Sequence, residues 1–317
     1  AVQFALAAQD VGIVHGPPGT GKTTTVVEII RQSISAGESV LACGPSNHAV
    51  DHLAAKLSHA GLHVVRVGHP ARVQASLQDI TLDFMVANHE RVKIARDCVR
   101  EAMQLQRKAK RYTRSRPEPG EKRAWRQAAR ELFAEARKYE RQAIQEVLDA
   151  ADVVCGTTTI DLGLMGDRRF DLLVIDEGCQ STEPGCWVPL QVADRLILAG
   201  DHCQLPPTIV SHEAARGGLS ISLQERLINL YGNMLFRRLT TQYRMHQQIM
   251  QFSSERFYDG QLVADSKVVG HQLADLPNVD LVGDLTGEPV TFIDTAGAGY
   301  DEELEPDGES RRNPSEG

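Results

Sequence analysis

Residues 11 to 30 read VGIVHGPPGTGKTTTVVEII. A short β-branched run, VGIVH (11 to 15), runs into a glycine- and proline-rich turn, and a helical pattern starts at Lys22 and continues to about Ile34. Gly16, Pro17, Pro18, Gly19, Thr20, Gly21, Lys22 and Thr23 match the spacing GxxxxGK[ST], and the strand before and helix after supply the context that spacing needs. Glycines let backbone N–H groups turn inward around phosphate oxygens, and the helix N-terminus adds a dipole that favours an anion. A lysine at position 22 can reach the outer phosphates of a nucleoside triphosphate such as ATP, while the Thr23 hydroxyl suits Mg²⁺. Thr24 follows in the same helical turn and joins the expected nucleotide-binding set.

The strand and helix rhythm continues outward. SVLACG (39 to 44), a helix from about His48 to Ser58 and HVVRVG (63 to 68) follow, and the pattern resumes with ADVVCGT (151 to 157), FDLLVIDE (170 to 177) and RLILAGD (195 to 201). Alternation of this kind predicts an α/β domain with a parallel sheet and helices on both faces. The expected division is residues 1 to 84 and 151 to 231 for that domain, 85 to 150 for an insert, and 232 to 317 for the start of another α/β lobe. In the last of these, NMLFRRL (233 to 239) and VTFIDT (290 to 295) read as strands, Gln247 to Phe257 as a helix, and the acidic end as mobile.

The insert has a different texture. Trp125, Ala129, Leu132, Ala136, Tyr139 and Ala143 recur at steps of three and four, as do Ile94, Cys98, Ala102, Leu105, Ala109 and Tyr112, with RSRPEPG (114 to 120) as a breaker between them. An antiparallel helical hairpin follows from that pattern. Within the 317 residues the net charge is −8, yet residues 96 to 147 hold 15 Lys/Arg against 8 Asp/Glu, so the body is strongly acidic and the hairpin basic. Such a hairpin is either a solvated structure laced by i,i+4 pairs or a prong that grips phosphates.

Composition narrows the class. At 42% apolar and 24% charged residues, the chain has ordinary globular usage, which excludes disordered and collagen-like classes. No run approaches the length of a membrane span, the first residues lack the features of a signal peptide, and six cysteines without a CxxC pair suit free thiols in the cytoplasm.

Asp176 and Glu177 end a run of four apolar residues, Leu172 to Ile175, at what would be the carboxyl edge of a parallel sheet, where ligands bind. Asp176 is expected to hold Mg²⁺, and Glu177 to orient and deprotonate an attacking water. A solvated strand end is the plain alternative, and the same phosphate loop also occurs in AAA-type remodelling ATPases.

Three further segments separate these readings. Asp176-Glu177-Gly178-Cys179-Gln180, GDHCQLPP (200 to 207) and QYRMH (242 to 246) together resemble superfamily 1 helicases of the up-frameshift-like group. GPSNHAVDHL (44 to 53), RVGHPAR (66 to 72) and CWVPL (186 to 190) look most like that group's immunoglobulin-mu-binding branch. Gly178 departs from the alanine usual there.

The resemblance implies a RecA-like P-loop NTPase fold, a helicase or translocase monomer driven by ATP and Mg²⁺, single-stranded RNA or DNA as partner, and 5′ to 3′ travel. It implies that Gln204 senses the γ-phosphate, Tyr243 stacks on adenine and Arg244 acts as an arginine finger. Pro45, Ser46, Asn47, Thr157, Thr158, Pro207 and Thr208 would hold the sugar-phosphate backbone, although Ser46 and Asn47 are also natural N-cap residues. An adenine-reading glutamine motif would precede Ala1, and the later second-lobe motifs are not found in these residues, so a catalytically weak nucleic-acid-binding fragment is the alternative.

Overall fold

In a computed structural model, residues 1–110, 120–277, 279, 288–306, 308 and 310–315 are described. The chain divides into two compact units, Ala1–Gln242 and Tyr243–Gly317.

Seven strands form the sheet of the first unit: β1 (Val11–His15), β2 (Val40–Gly44), β3 (Val64–Arg66), β4 (Val153–Thr157), β5 (Leu172–Ile175), β6 (Leu196–Gly200) and β7 (Phe236–Arg238). Their order is β3-β4-β2-β5-β6-β1-β7, and every pairing is parallel. Because the period of a strand is two, successive residues serve opposite faces. Ile13, Leu41, Leu173, Ile175 and Leu198 pack into one buried cluster. Val14, Val40, Leu172, Val174 and Ile197 pack into the other. Helices α1 (Val2–Ala7), α2 (Lys22–Ser35) and α3 (Asn47–His59) cover the second cluster through Ala5, Val26, Ile29, Ile30, Val50, Leu53 and Leu57.

On the other face, α4 (Leu82–Ala87) leads into α5 (Glu90–Lys110) and α6 (Glu121–Asp149), whose last turns return to the core through Val147 and Leu148. Arg91, near the start of α5, reaches Glu146 near the end of α6 at 2.6 Å, so the two helices run antiparallel. Ala95, Ala102 and Ala109 are buried on one helix and Ala129, Ala136 and Ala143 on the other. A seven-residue repeat of alanine lets the backbones approach closely. That corrects part of the expected stripe: Ile94 is exposed, and Ala95 takes the seam. The expected breaker at 114 to 120 lies, apart from Gly120, outside the described residues, as does Tyr112.

Helices α7 (Glu183–Leu190), α8 (His212–Ala214) and α9 (Leu223–Tyr231) complete this unit, with Cys186 and Leu223 in the first cluster. None of the six cysteines forms a disulfide; four are buried and Cys98 and Cys203 are half-buried. No helix among the described residues is long and apolar enough to cross a membrane.

One expected boundary moves. Phe236–Arg238, read from the sequence as the opening of another lobe, is the edge strand of the first sheet, registered on β1 with His15 opposite Arg238. The Leu235 carbonyl accepts from Ile13 N–H at 2.7 Å and the His15 carbonyl from Leu239 N–H at 2.8 Å. The division between units therefore falls after Gln242 instead of before Gly232. The second unit contains α10 (Gln247–Phe257) and an antiparallel pair of two-residue strands, Glu303–Leu304 and Arg311–Arg312. VTFIDT (290 to 295) is not a strand: no ladder partner joins it among the described residues, and Val290, Phe292 and Ile293 are exposed.

Candidate active site

Strand order places β5, β6 and β1 side by side, so the loops at their carboxyl ends converge. Gly16 N–H donates to the Gly200 carbonyl at 3.0 Å, tying the loop after β1 to the end of β6. A Cβ at Gly16 would lie 2.7 Å from the Cβ of Lys22, so only glycine lets the lysine stem pass over the loop. Gly21 is the N-cap of α2 at φ 77° and has no side chain to cap it. Thus the first N–H groups of α2 remain for an anion. Thr20 is buried and its hydroxyl donates to the Pro17 carbonyl at 2.7 Å, which closes the turn. Pro17 is buried, Pro18 and Gly19 are half-buried, and Thr24 is exposed in the first turn of α2.

Lys22 Nζ lies 2.8 Å from Glu177 Oε1. Burial works against the Lys22 ammonium, but the Glu177 and Asp176 charges outweigh it and raise its pKa. Asp176 is buried, and its carboxyl is pushed up to about 6, first by burial and next against the lowering charge of Lys22, with Glu177 adding repulsion. The Asp176 carboxylate accepts from the Thr23 hydroxyl and from the Glu177 N–H, the latter at 3.0 Å. Glu177 has φ 54°, one of two non-glycine residues with positive φ among the described residues. Such a conformation costs about 1–3 kcal/mol and persists where its surroundings hold it. Gln180 Nε2 reaches Glu177 Oε2 at 3.4 Å. The departure at Gly178 leaves little spare room: a Cβ there would meet Gln224 Oε1 at 3.2 Å and Leu198 Cδ2 at 3.3 Å.

The third loop carries Gln204. Its Nε2 donates to Asp201 Oδ2 at 2.6 Å, and Asp201 Oδ1 accepts from Cys203 N–H at 3.1 Å and faces His15 Nε2 at 2.9 Å. His15 and Asp201 are both fully buried. Arg238 Nε donates to His15 Nδ1 at 3.4 Å. The ligand atoms of His15, Asp201, His202 and Cys203 lie within 4.8 Å of one another. A cation there would compete with the Arg238 guanidinium, and both His15 nitrogens are already engaged, so a hydrogen-bonded relay accounts for the cluster better than a metal centre. His202 is held below its ordinary pKa, first by burial and then by His15, with Arg238 adding to the effect.

A cavity of about 650 Å³ opens at the carboxyl ends of β2, β3 and β4, lined by Pro45, Ser46, Asn47 and Thr157 together with Gly68, His69, Arg72 and Thr159. Ser46 Oγ caps α3, accepting from Ala49 N–H at 3.2 Å. Asn47 Oδ1 accepts from Arg66 Nη2 at 3.0 Å. Arg66 is completely buried and pairs with the buried Asp51, Nε to Oδ1 at 2.8 Å, while Asp51 Oδ2 accepts Gln74 N–H at 2.9 Å. Thr158 is buried with its N–H on the Gly44 carbonyl, and it does not line this cavity. Pro207 is buried and Thr208 exposed in an irregular stretch, also away from its lining.

The ends of β1 and β5 thus bring Lys22, Thr23, Asp176 and Glu177 together, Gln204 stands on the loop after the intervening β6 where Asp201 holds it, and a separate cavity gathers Pro45, Ser46, Asn47 and Thr157. Tyr243 and Arg244, both exposed, begin the second unit ahead of α10. His15, Asp201, Arg66 and Asp51 carry the polar framework but have no role in the sequence reading. All four stand inside quoted motifs or beside the phosphate loop, and it is their burial that sequence alone does not display.

Two sequence families, each described as an AAA domain, match residues 1–212 and 219–317. The chain belongs to this AAA domain family, in its superfamily 1 up-frameshift-like helicase group. It is 46% identical over 321 aligned residues to the DNA-binding protein SMUBP-2 of Rattus norvegicus, covering 100% of this chain and 32% of that protein. It is 38% identical to the DNA polymerase alpha-associated DNA helicase A of Schizosaccharomyces pombe, over 94% of this chain and 44% of that one. The regulator of nonsense transcripts 1 homolog of Drosophila melanogaster matches at 39% identity over 83% of this chain and 21% of its own length. The chain therefore spans between 21% and 44% of these relatives' length. A solved arterivirus helicase with DNA aligns at TM-score 0.42 and 12% identity, over 82% of this chain and 42% of that one.

Proposed function

We propose that this chain is the ATP-hydrolysing core of a helicase or translocase monomer that works on single-stranded RNA or DNA, with 5′ to 3′ travel by family resemblance. The observation that carries it is the Lys22 to Glu177 pair at 2.8 Å, set at the uncapped N-terminus of α2 with Asp176 alongside. When a triphosphate enters, Lys22 exchanges Glu177 for phosphate oxygens, and the freed carboxylate takes a proton from the attacking water. The Thr23 hydroxyl and the Asp176 carboxylate, already hydrogen-bonded, are two adjacent hard oxygen donors and fit Mg²⁺. Bound there, the metal supplies charge neutralisation for the phosphate oxygens. Gln204 senses the γ-phosphate, Tyr243 stacks on the adenine and Arg244 stabilises the transferring phosphoryl group.

Pro45, Ser46, Asn47 and Thr157 hold the sugar-phosphate backbone at the 650 Å³ cavity, and Thr158, Pro207 and Thr208 belong to the same contact set. Relatives whose names state DNA binding and DNA helicase activity support the nucleic-acid side of this reading. In the intact protein, Glu177→Gln is expected to abolish phosphate release stimulated by single-stranded nucleic acid while ATP binding persists. Undiminished turnover in that variant overturns the assignment of the site.

A further inference from the structure

We propose that His15 is a positioning residue for Gln204, the middle of a relay that begins at Arg238 on the edge strand and ends at the nucleotide site. The inference rests on Gln204 being the γ-phosphate sensor and adds what sets that sensor's orientation. Four side chains are joined in series: Arg238 Nε donates to His15 Nδ1 at 3.4 Å, His15 Nε2 faces Asp201 Oδ1 at 2.9 Å, and Gln204 Nε2 donates to Asp201 Oδ2 at 2.6 Å.

The chemistry of each link constrains the next. Arginine only donates, so His15 Nδ1 is an acceptor and Nε2 carries the proton, which then goes to Asp201. Asp201 has no solvent exposure, and an ionised carboxylate there is tolerable because both oxygens accept hydrogen bonds, from His15 and Cys203 on one and Gln204 on the other. A carboxylate accepts only, so it must face the NH₂ end of Gln204. That settles which way the amide is turned. The Oε1 end is the one offered onward, and an amide turned this way can accept a hydrogen bond from the water that attacks the γ-phosphate. With the opposite turn it could not.

Each link is also fixed by the fold. His15 ends β1 and is followed at once by the first glycine of the phosphate loop. Arg238 lies opposite it in the β1 and β7 register, and Leu239 N–H on the His15 carbonyl pins the strand at that point. The imidazole packs between the rings of His202, centroids 4.7 Å apart, and Phe236, 5.9 Å apart. Edge strand β7 thereby acts on the catalytic water through side chains, without touching the nucleotide.

The test uses steady-state ATP turnover and the affinity of fluorescent ADP in the intact protein. His15→Phe keeps the ring and removes the donor; kcat is expected to fall about tenfold, with ADP affinity unchanged because the phosphate loop still grips the diphosphate. His15→Gln supplies an N–H of similar reach and is expected to recover most of kcat. Arg238→Gln, at the outer end, is expected to lower kcat by about threefold at constant ADP affinity, and it decides the matter alone if His15→Phe does not fold. The relay is overturned if kcat stays at the wild-type value in His15→Phe and Arg238→Gln, or if kcat and ADP affinity fall together as in a merely damaged loop. Gln204→Ala is measured alongside. Unchanged kcat in Gln204→Ala, with Lys22→Ala inactive, overturns the sensor reading itself; a fall in Gln204→Ala without one in His15→Phe overturns the relay only.

Discussion

The loops after β1 and after β2 make the same connection, a strand running through a short turn into a helix N-terminus at the same edge of one sheet, and they end up as different sites. At α2 the N-cap is glycine, and the first helical residue, Lys22, is turned onto Glu177. At α3 the N-cap is Ser46, which satisfies Ala49 N–H with its own hydroxyl, and the next side chain, Asn47, is held by Arg66. A helix end without a side-chain cap keeps its donors for an anion, whereas a capped one becomes a finished wall. Cap chemistry thus separates a nucleotide cradle from a surface whose shape is maintained from behind, by the buried Arg66 and Asp51 pair.

The largest way to break that comparison is behind the second loop. Arg66→Ala leaves Asp51 buried without its guanidinium and is expected to lower unfolding stability by about 3–5 kcal/mol, read as a shift in the urea midpoint. A midpoint close to wild type means that the wall stands without this pair. Next is the first loop: Lys22→Ala removes the cation that faces the phosphates, and phosphate release is expected to slow about 10²–10³-fold, equivalent to about 3–4 kcal/mol. Affinity for single-stranded nucleic acid without nucleotide should be little changed, since the wall after β2 is untouched; a parallel collapse of both would show that the loops are not separable.

A third prediction sharpens the difference through pH. Asp176 holds its proton more tightly folded than unfolded, its pKa rising from 3.8 to about 6, so ionisation counts against the folded state. The penalty is absent below the unfolded value, grows as pH rises through that interval, and is complete above about 6. Asp176→Asn is therefore expected to stabilise the metal-free protein at pH 7.5 by about 2–3 kcal/mol, with the gain gone by about pH 4, while hydrolysis is lost. A pH-independent difference in thermal stability between variant and wild type would contradict this. Smallest is Ser46→Ala, which removes a cap that the phosphate loop does not have; about 1 kcal/mol of stability should be lost, with ATP hydrolysis in the absence of nucleic acid unaltered.

Much of the first loop was legible in sequence because its chemistry is local. Gly16 to Thr23 are consecutive, and the strand and helix around them show their own periodicities, so the turn, the helix start at Lys22 and the phosphate reading follow without tertiary information. Asp176 and Glu177 were legible as the polar end of an apolar run. The wall after β2 was half legible: Ser46 reads in sequence as a cap and as a contact residue, and the fold has it capping α3 on the wall of the cavity. Arg66 reads in sequence as an ordinary charged residue within RVGHPAR, because nothing in its neighbours reveals that it has no solvent exposure. Phe236–Arg238 was legible as a strand, but three residues contain too little pattern to say which sheet they join.

By itself the sequence determined an α/β chain with a parallel sheet, a phosphate loop, a strand-end pair of acids and a helical insert of opposite charge to the body. These are properties of spacing and period, and the short range of backbone geometry lets a linear reading recover them. Tertiary structure alone decided that β6 lies between β5 and β1, that Lys22 meets Glu177, that Glu177 takes a left-handed backbone, and that β7 closes the sheet beside His15. His15 and Asp201 are 186 residues apart. Their pairing depends on burial and strand order, and those arise only when distant segments exclude water together.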